Sequence, residues 1–357
     1  MLVGILPSLL IDGIESLLRR TRKAPLYSLE GRKENYDFSI IIPAYNEEKT
    51  IGETLSSLEI YKDKTLVVDD GSKDNTSEIA KNMGFEVIRN EENGKKINAI
   101  KKGLEVVGSK YTVLIDADTT LERPNELPKL IQALYDENLI AAGAHVLPKN
   151  PSNLLESLQY IEYKIAMEIG RKNTKNNICI SGAFGAFDTK ELKEITDIQI
   201  KNPKFEGEDF ERTLYLIERG KIGYFSDFIV RTDVPKNLKE ITDQRIRWQY
   251  GFLDKSLKFN KMLKRKDEIG ATFWFNYLVN IGMHPLKLFF FYFFLLNPID
   301  FILFYSAYSA LTTSLFYSVA SKEERKYLKY SFFYPLYSLY NLTLPTTIGY
   351  AKKLVKK

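Results

Sequence analysis

Two carboxylates one residue apart, Asp116 and Asp118, follow the apolar run Tyr111 to Ile115 in a chain of 357 residues. On a loop leaving a strand, such a pair can share a divalent cation without either acid pointing into the core. Mg2+ or Mn2+ suits it, because these hard ions take one or two protein carboxylates plus substrate phosphate oxygens. Alone, an Asp-x-Asp is as well read as a solvated turn capping the next helix. Its neighbours in the sequence add weight. Asp69-Asp70-Gly71-Ser72 closes another β-branched run; the glycine permits a tight turn, and the acids can accept hydrogen bonds from a base or ribose. Pro43, Ala44, Tyr45 and Glu47 close a third run, adding a stacking face and a further acceptor. Asn93-Gly94-Lys95 brings a cation, which a diphosphate requires. Helix capping explains any one of these clusters, but four together at strand ends are harder to explain by chance.

The elements that must position them follow from periodicity. Phe38 to Ile42, Thr65 to Val68, Phe85 to Ile88 and Tyr111 to Ile115 read as strands. Glu48 to Leu58, Asn75 to Met83 and Lys95 to Val107 read as the helices between them. This alternation predicts an α/β fold, a parallel sheet with helices on both faces. Ligands of such sheets bind where strands end.

Composition excludes other chemistries. Cys179 is the single cysteine, so no internal disulfide forms, and with only His145 and His284 beside it a Cys/His zinc site is excluded. Cys179 is expected to pack in the core and His145 to be structural. No Gly-x-Gly-x-x-Gly follows the first strand, which disfavours a nicotinamide dehydrogenase. The net charge of +5 is modest and lies in clusters at Arg19 to Lys23, Lys261 to Lys266, Lys322 to Lys329 and Lys352 to Lys357. Each borders an apolar segment, which suits anionic lipid headgroups better than nucleic acid. Met1 to Leu18 reads as an amphipathic helix on a membrane surface, with a short helix packed on the protein as the alternative. Phe273 to Leu296, Ile299 to Ala320 and Leu328 to Tyr350 are each long enough to cross a bilayer, which takes about 20 residues. Two to three membrane segments are expected, with the Ser321 to Lys329 loop in the cytosol by its positive charge.

In order, these motifs resemble glycosyltransferase family 2, the inverting enzymes of the GT-A fold. The match is carried by IIPAYNEEKTI from Ile41, VVDDGSKDNT from Val67, NGKKINAI from Asn93 and LIDADTTL from Leu114. SGAFGAF from Ser181, FEGEDFE from Phe205 and Gln244-Arg245-Ile246-Arg247-Trp248 complete it. The last fits Gln-x-x-Arg-Trp, which is similar to the membrane synthases of cellulose, chitin, hyaluronan and poly-N-acetylglucosamine. The chain departs from the family where Phe187 is followed by Asp188 rather than arginine.

The resemblance implies a GT-A, Rossmann-like mixed sheet at 36–251, after an amphipathic membrane-associated segment at 1–35. An interfacial linker at 252–272 and membrane helices at 273–357 would follow. It implies that Asp209, beside Glu208, is the general base. Asp69 and Asp70 would read the base, Asp116 the ribose and sugar side, and Lys95 the nucleotide. The metal would rest on Asp118 with Asp116, and Pro43, Ala44, Tyr45, Glu47, Gln244 and Arg247 would complete the donor side. Gly182 and Trp248 would meet the acceptor. The expected activity is a membrane-bound, multi-pass, metal-dependent hexosyltransferase with a cytosolic catalytic domain. It would use Mg2+ or Mn2+ to move sugar from a nucleotide-diphosphate donor, UDP-linked by family habit, to a growing β-linked glycan. Single addition to a lipid acceptor is the alternative, and a non-catalytic membrane scaffold the remote one.

Overall fold

Runs of isoleucine and valine that are apolar on both faces need cover on both faces, and here they have it. Strands β1 (Phe38–Ala44), β2 (Thr65–Asp69), β3 (Glu86–Arg89) and β4 (Tyr111–Ile115) are separated by α1 (Ile51–Ser57), α2 (Thr76–Asn82) and α3 (Lys96–Val106). Ile40, Ile41, Ile42, Val67, Val68 and Val113 are wholly excluded from solvent, as expected of a sheet clad on both sides. The computed structural model describes Tyr27, Leu29, residues 37–171, 179–201 and 206–278, Leu288, Phe289, Tyr292 and residues 296–355. The segment expected to be amphipathic, Met1 to Leu18, lies outside these residues, as does most of Phe273 to Leu296.

The chain continues through β5 (Thr119–Leu121), α4 (Leu127–Asp136), β6 (Leu139–Pro148), α5 (Leu154–Ile165), β7 (Phe184–Asp188) and α6 (Thr189–Ile200). Then come α7 (Glu208–Arg219), β8 (Lys221–Thr232), α8 (Leu238–Lys258) and α9 (Glu268–Tyr277). Last are α10 (Pro298–Val319), α11 (Leu328–Ser331) and α12 (Tyr334–Val355). Two compact units result: a sheet unit with the strands, α1 to α4, α6 and α7, and a helical unit with α5 and α8 to α12.

In the sheet unit the strand order is β3-β2-β1-β4-β7-β6-β8-β5. β1 pairs parallel to β2 and β4, and β2 parallel to β3. β7 runs antiparallel to β4 and β6, and β5 antiparallel to β8. The sheet is therefore mixed: the strand-helix alternation identified its parallel half only. Register brings Ala44 level with Asp69, so the loops after β1 and β2 emerge side by side. Asp188, where the family often has arginine, caps α6 by accepting from the N–H groups of Lys190 and Glu191 at 3.0 and 3.3 Å.

The helical unit has a tyrosine-rich core of Tyr160, Tyr308, Tyr327, Tyr334 and Tyr337 among Leu158, Ile161, Ile241 and Phe316. Buried phenols need partners: the Tyr160 hydroxyl reaches Glu324 at 2.5 Å and that of Tyr308 meets the Ser338 hydroxyl at 2.9 Å. Asn153 and Asn237 cap α5 and α8. Among the described residues one helix, α10 with 22 residues, is long and apolar enough to cross a bilayer. Its Ile299 and Leu303 are 75% and 65% exposed. The third expected span is divided into α11 and α12, the latter carrying Pro345 inside it.

Candidate active site

The loop after β1 and the loop after β2 are stitched together by short polar contacts. The Asp70 N–H donates to the Ala44 carbonyl at 2.8 Å. Asn46 and Glu47 donate their N–H groups to the hydroxyls of Ser72 and Thr76 at 2.9 and 2.7 Å, and the Asn46 amide oxygen accepts from the Lys73 N–H at 2.8 Å. Asn46 takes a left-handed conformation (φ 57°) to do so, which asparagine tolerates better than most residues. Gly71, at φ 77°, is forced: a Cβ there would lie 2.8 Å from the Glu92 carbonyl carbon.

Within this framework the two acids after β2 have different surroundings. Asp69 is fully buried and accepts from the Ser72 N–H at 2.8 Å and from the Ser77 hydroxyl, with Arg89 at 3.5 Å. Asp70, also buried, accepts from the Gly94 N–H at 3.0 Å and the Asn90 amide at 2.7 Å. Tyr45 is 40% exposed at the mouth of the same loops.

The end of β4 carries the second half of the site. The Asp116 N–H donates to the Ala183 carbonyl at 3.1 Å, so the β4 loop and the loop before β7 are tied together. Lys96 forms an ion pair with Asp116 and donates to the Gly182 carbonyl at 3.2 Å. The Gly182 N–H donates to Asp209 Oδ2 at 3.0 Å, and the Phe210 N–H to Asp209 Oδ1 at 2.8 Å. Gly182 lies at the convergence of the three side chains: a Cβ there would sit 3.1 Å from Lys96 Nζ, 3.6 Å from Asp209 Oδ2 and 3.8 Å from Asp116 Oδ2. Asp118 accepts from the hydroxyls of Thr119 and Thr232, each at 3.1 Å.

Acid crowding shows in the protonation equilibria. Burial pushes the Asp116 carboxyl up to about 6, with Lys96 pulling against it and Asp118 adding to it. Burial, then the charge of Glu47, raises Asp118. Glu47 is itself raised, by burial first and then by Asp116 and Asp233 against the Thr50 hydrogen bond. Glu208 is raised by burial and by Asp209 beside it. Burial alone would lower Lys96, but Asp116 and Glu208 outweigh it and the ammonium is held above its ordinary range. Unbalanced negative charge at Asp116, Asp118 and Glu47 fits a divalent cation. Among the described residues no three His, Cys, Asp or Glu side chains are grouped to hold one by themselves, so phosphate oxygens of a bound donor would have to share it.

α7 starts at Glu208 after Gly207 (φ 76°), placing Glu208, Asp209 and Glu211 in its first turn, where the helix dipole favours acids. One turn on, Arg212 is 3% exposed, and its Nε and Nη2 find no hydrogen-bond partner among the described residues. Burial lowers its proton affinity while Glu208, Asp209 and Asp116 support its charge.

Two residues escaped the sequence reading. The cation of the Asn-Gly-Lys-Lys stretch that enters this cluster is Lys96; Lys95 is exposed at φ 74°, ahead of the first turn of α3. Arg212 was visible only as a helical neighbour of Asp209. His145 is structural, buried in β6 with Nδ1 2.9 Å from the Tyr224 hydroxyl, and Cys179 is half-buried. Gln244, Arg247 and Trp248 belong to the helical unit, where their spacing of three and four puts them on one side of α8. Arg247 and Trp248 are exposed there.

Residues 39–195 match the family model for Glycosyl transferase family 2. The chain is 27% identical over 221 residues to poly-beta-1,6-N-acetyl-D-glucosamine synthase of Staphylococcus aureus (strain COL), covering 60% of this chain and 54% of the relative. The Staphylococcus epidermidis synthase is 28% identical over 229 residues, with the same coverage. The chain thus spans about half the length of these curated relatives. Among solved structures, the mannosyltransferase PcManGT from Pyrobaculum calidifontis, in complex with GDP-Man and Mn2+, superposes with a TM-score of 0.64. That pair is 17% identical, with 98% of this chain and 95% of that one covered. The shared feature is the fold, a mixed α/β sheet of GT-A type.

Proposed function

From the premise that residues 39–195 carry the glycosyl transferase family 2 pattern, we propose that the chain transfers a hexose from a nucleotide-diphosphate donor, with inversion. The observation that carries this reading is the convergence of Lys96, Asp116 and Asp209 around Gly182. An inverting transfer needs one base beside the acceptor hydroxyl and charge stabilisation on the departing diphosphate.

Asp209 is the base. Backbone N–H groups of Gly182 and Phe210 fix its two oxygens, each of which keeps a further lone pair for the incoming proton. Gly182 leaves room for an acceptor beside that carboxylate, since any side chain would fill the gap. Glu208 adds negative charge beside the base. Lys96 keeps Asp116 engaged and the Gly182 loop in place. Pro43, Ala44, Tyr45, Glu47, Asp69, Asp70 and Lys95 form or border the donor's nucleoside side, with Asp116 toward the ribose and sugar. Tyr45 offers its exposed ring, and Asp69 and Asp70 set the shape of the floor. Asp118 with Asp116 would hold Mg2+ or Mn2+, which when bound neutralises diphosphate charge. By their motif, Gln244 and Arg247 contact the donor diphosphate and Trp248 the acceptor sugar.

The acceptor we assign is a growing β-linked glycan, on the Gln-x-x-Arg-Trp match and the relatives named above. The apolar helix α10 and the basic residues Lys322 to Lys329 after it support attachment to the cell membrane with the sheet unit on the cytosolic side. A single addition to a lipid acceptor is the second reading. The test is nucleotide-diphosphate release by protein in lipid, across UDP- and GDP-sugars with Mn2+ or Mg2+, beside Asp209→Asn. Release that falls at least about a hundredfold in the variant, with a ladder of products, supports the polymer assignment. One added sugar moves it to a lipid acceptor. No release from any donor defeats the transferase reading.

A further inference from the structure

In the helical unit a charged network sits where the core is otherwise aromatic. Arg245, on α8, is 8% exposed. Its Nη2 donates to Glu162 Oε2 on α5 at 2.6 Å and to the Tyr337 hydroxyl on α12 at 3.1 Å. Tyr337 in turn donates to the same Glu162 oxygen at 2.5 Å. Three helices thus meet at one guanidinium.

The same guanidinium lies over the indole of Trp248, with Cζ 4.6 Å from the ring centroid. The two residues are three apart on α8, so they share a helix face. Trp248 remains 45% exposed. A large aromatic ring with that much exposure gains little from the core and is free to turn unless something holds it. A cation over a face of the ring supplies the hold, and it is stronger where the cation is desolvated. Arg245 is desolvated and is fixed from two other helices.

We propose that Arg245 is a positioning residue: anchored by Glu162 and Tyr337, it fixes the Trp248 indole as a preset stacking surface for a sugar ring. This rests on the assignment of Trp248 to the acceptor. Sugars stack on aromatic faces through their C–H groups, and an indole held in one orientation binds them without first losing its own freedom. Glu162 completes the device from a distance, since it touches Arg245 and leaves Trp248 alone. Arg247, the other arginine of the motif, is exposed at its neighbouring position and has no part in the hold.

The test uses full-length protein in lipid with Trp274→Phe as background, which leaves Trp248 as the single tryptophan. Arg245→Met, Arg245→Lys and Glu162→Gln are compared by acrylamide quenching and fluorescence anisotropy of Trp248, and by acceptor and donor KM. Arg245→Met is expected to raise quenching and lower anisotropy, with acceptor KM up roughly three- to thirtyfold, the range of a cation–π contact, and donor KM unchanged. Arg245→Lys restores most of both signals. Glu162→Gln gives a smaller change of the same sign, and serves if Arg245→Met does not fold. An unchanged Trp248 signal in Arg245→Met and Glu162→Gln overturns the proposal, whatever the activity. So does a changed signal with acceptor KM unmoved. Absence of transfer in the unsubstituted chain defeats the transferase reading instead, and the fluorescence arm still decides whether Arg245 holds the indole.

Discussion

In the sheet unit, Asp209 is held by the main-chain N–H groups of Gly182 and Phe210, and Asp70 by that of Gly94 together with the Asn90 amide. In the helical unit, Glu162 is held by the side chains of Arg245 and Tyr337. Main-chain donors are set by the path of the loop, so a side-chain substitution cannot remove them. Side-chain donors can be lost one at a time. Asp209 should therefore be sensitive to changes in backbone path or space and tolerant of changes to neighbouring side chains, whereas Asp116 and Asp118, which meet Lys96, Thr119 and Thr232, should be less tolerant. Polar groups between helices should behave in the opposite way.

Gly182→Ala is the sharpest way to break that contrast. The added methyl falls 3.1 Å from Lys96 Nζ and within 3.8 Å of both carboxylates. Lys96 can swing away, but an acceptor can no longer approach Asp209. Turnover should fall by about a hundredfold, the cost of roughly an ångström of misplacement, with the thermal midpoint nearly unchanged. If turnover stays within threefold of the parent, the space beside Gly182 is not where the acceptor goes.

The adjacent lysines give a smaller and more selective effect. Lys96→Ala leaves Asp116 without its ion pair and the Gly182 carbonyl without its donor, and should lower kcat about tenfold. Lys95→Ala removes an exposed side chain and should stay within about threefold. The reverse order, measured by the same diphosphate-release assay, would give Lys95 the larger part in turnover.

This pair shows where the sequence stops being readable. All four early strands were visible within a residue or two, because short β-branched and apolar runs bounded by turn residues favour strands. Which of two consecutive lysines enters the site depends on where α3 begins, and the positive φ at Lys95 is a property of the folded turn. The antiparallel pairing of β7 with β4 was legible only through the family resemblance. It depends on contacts between residues some 70 apart, such as Leu114 with Gly185, which periodicity does not register. Trp248 could be picked out as a sugar platform from its motif, whereas its hold by Arg245 involves Glu162 and Tyr337 from distant parts of the chain.

Protonation at Asp116 offers a test by pH. Its carboxyl is raised to about 6 from the ordinary 3.8, chiefly by burial. In metal-free protein its neutral form therefore favours the fold, a contribution fully present below about pH 4 and lost as pH rises through about 6. A divalent cation reverses the preference, because it binds the ionised form. With a nucleoside diphosphate present to share the ion, Mn2+ should raise the thermal midpoint clearly at pH 7.5 and little at pH 5, and Asp118→Asn should abolish the gain. An equal gain at both pH values would place the ion elsewhere.

The smallest expected effect sharpens the other side of the comparison. Asn341, on α12, is 9% exposed, and neither its amide oxygen nor its nitrogen finds a partner among the described residues. Burying an unpaired amide costs about 1–3 kcal/mol, whereas leucine has nearly the same branched shape and leaves nothing unsatisfied. Asn341→Leu should thus be neutral or stabilising by about 1 kcal/mol, a rise of a few degrees in thermal midpoint. Tyr308→Phe, in the same unit, removes a hydroxyl that is paired with Ser338 at 2.9 Å and should shift the midpoint down by a similar amount. If Asn341→Leu instead destabilises as much as Tyr308→Phe, the amide has a partner that binds between the helices. The helical unit would then owe part of its order to a group outside the described residues.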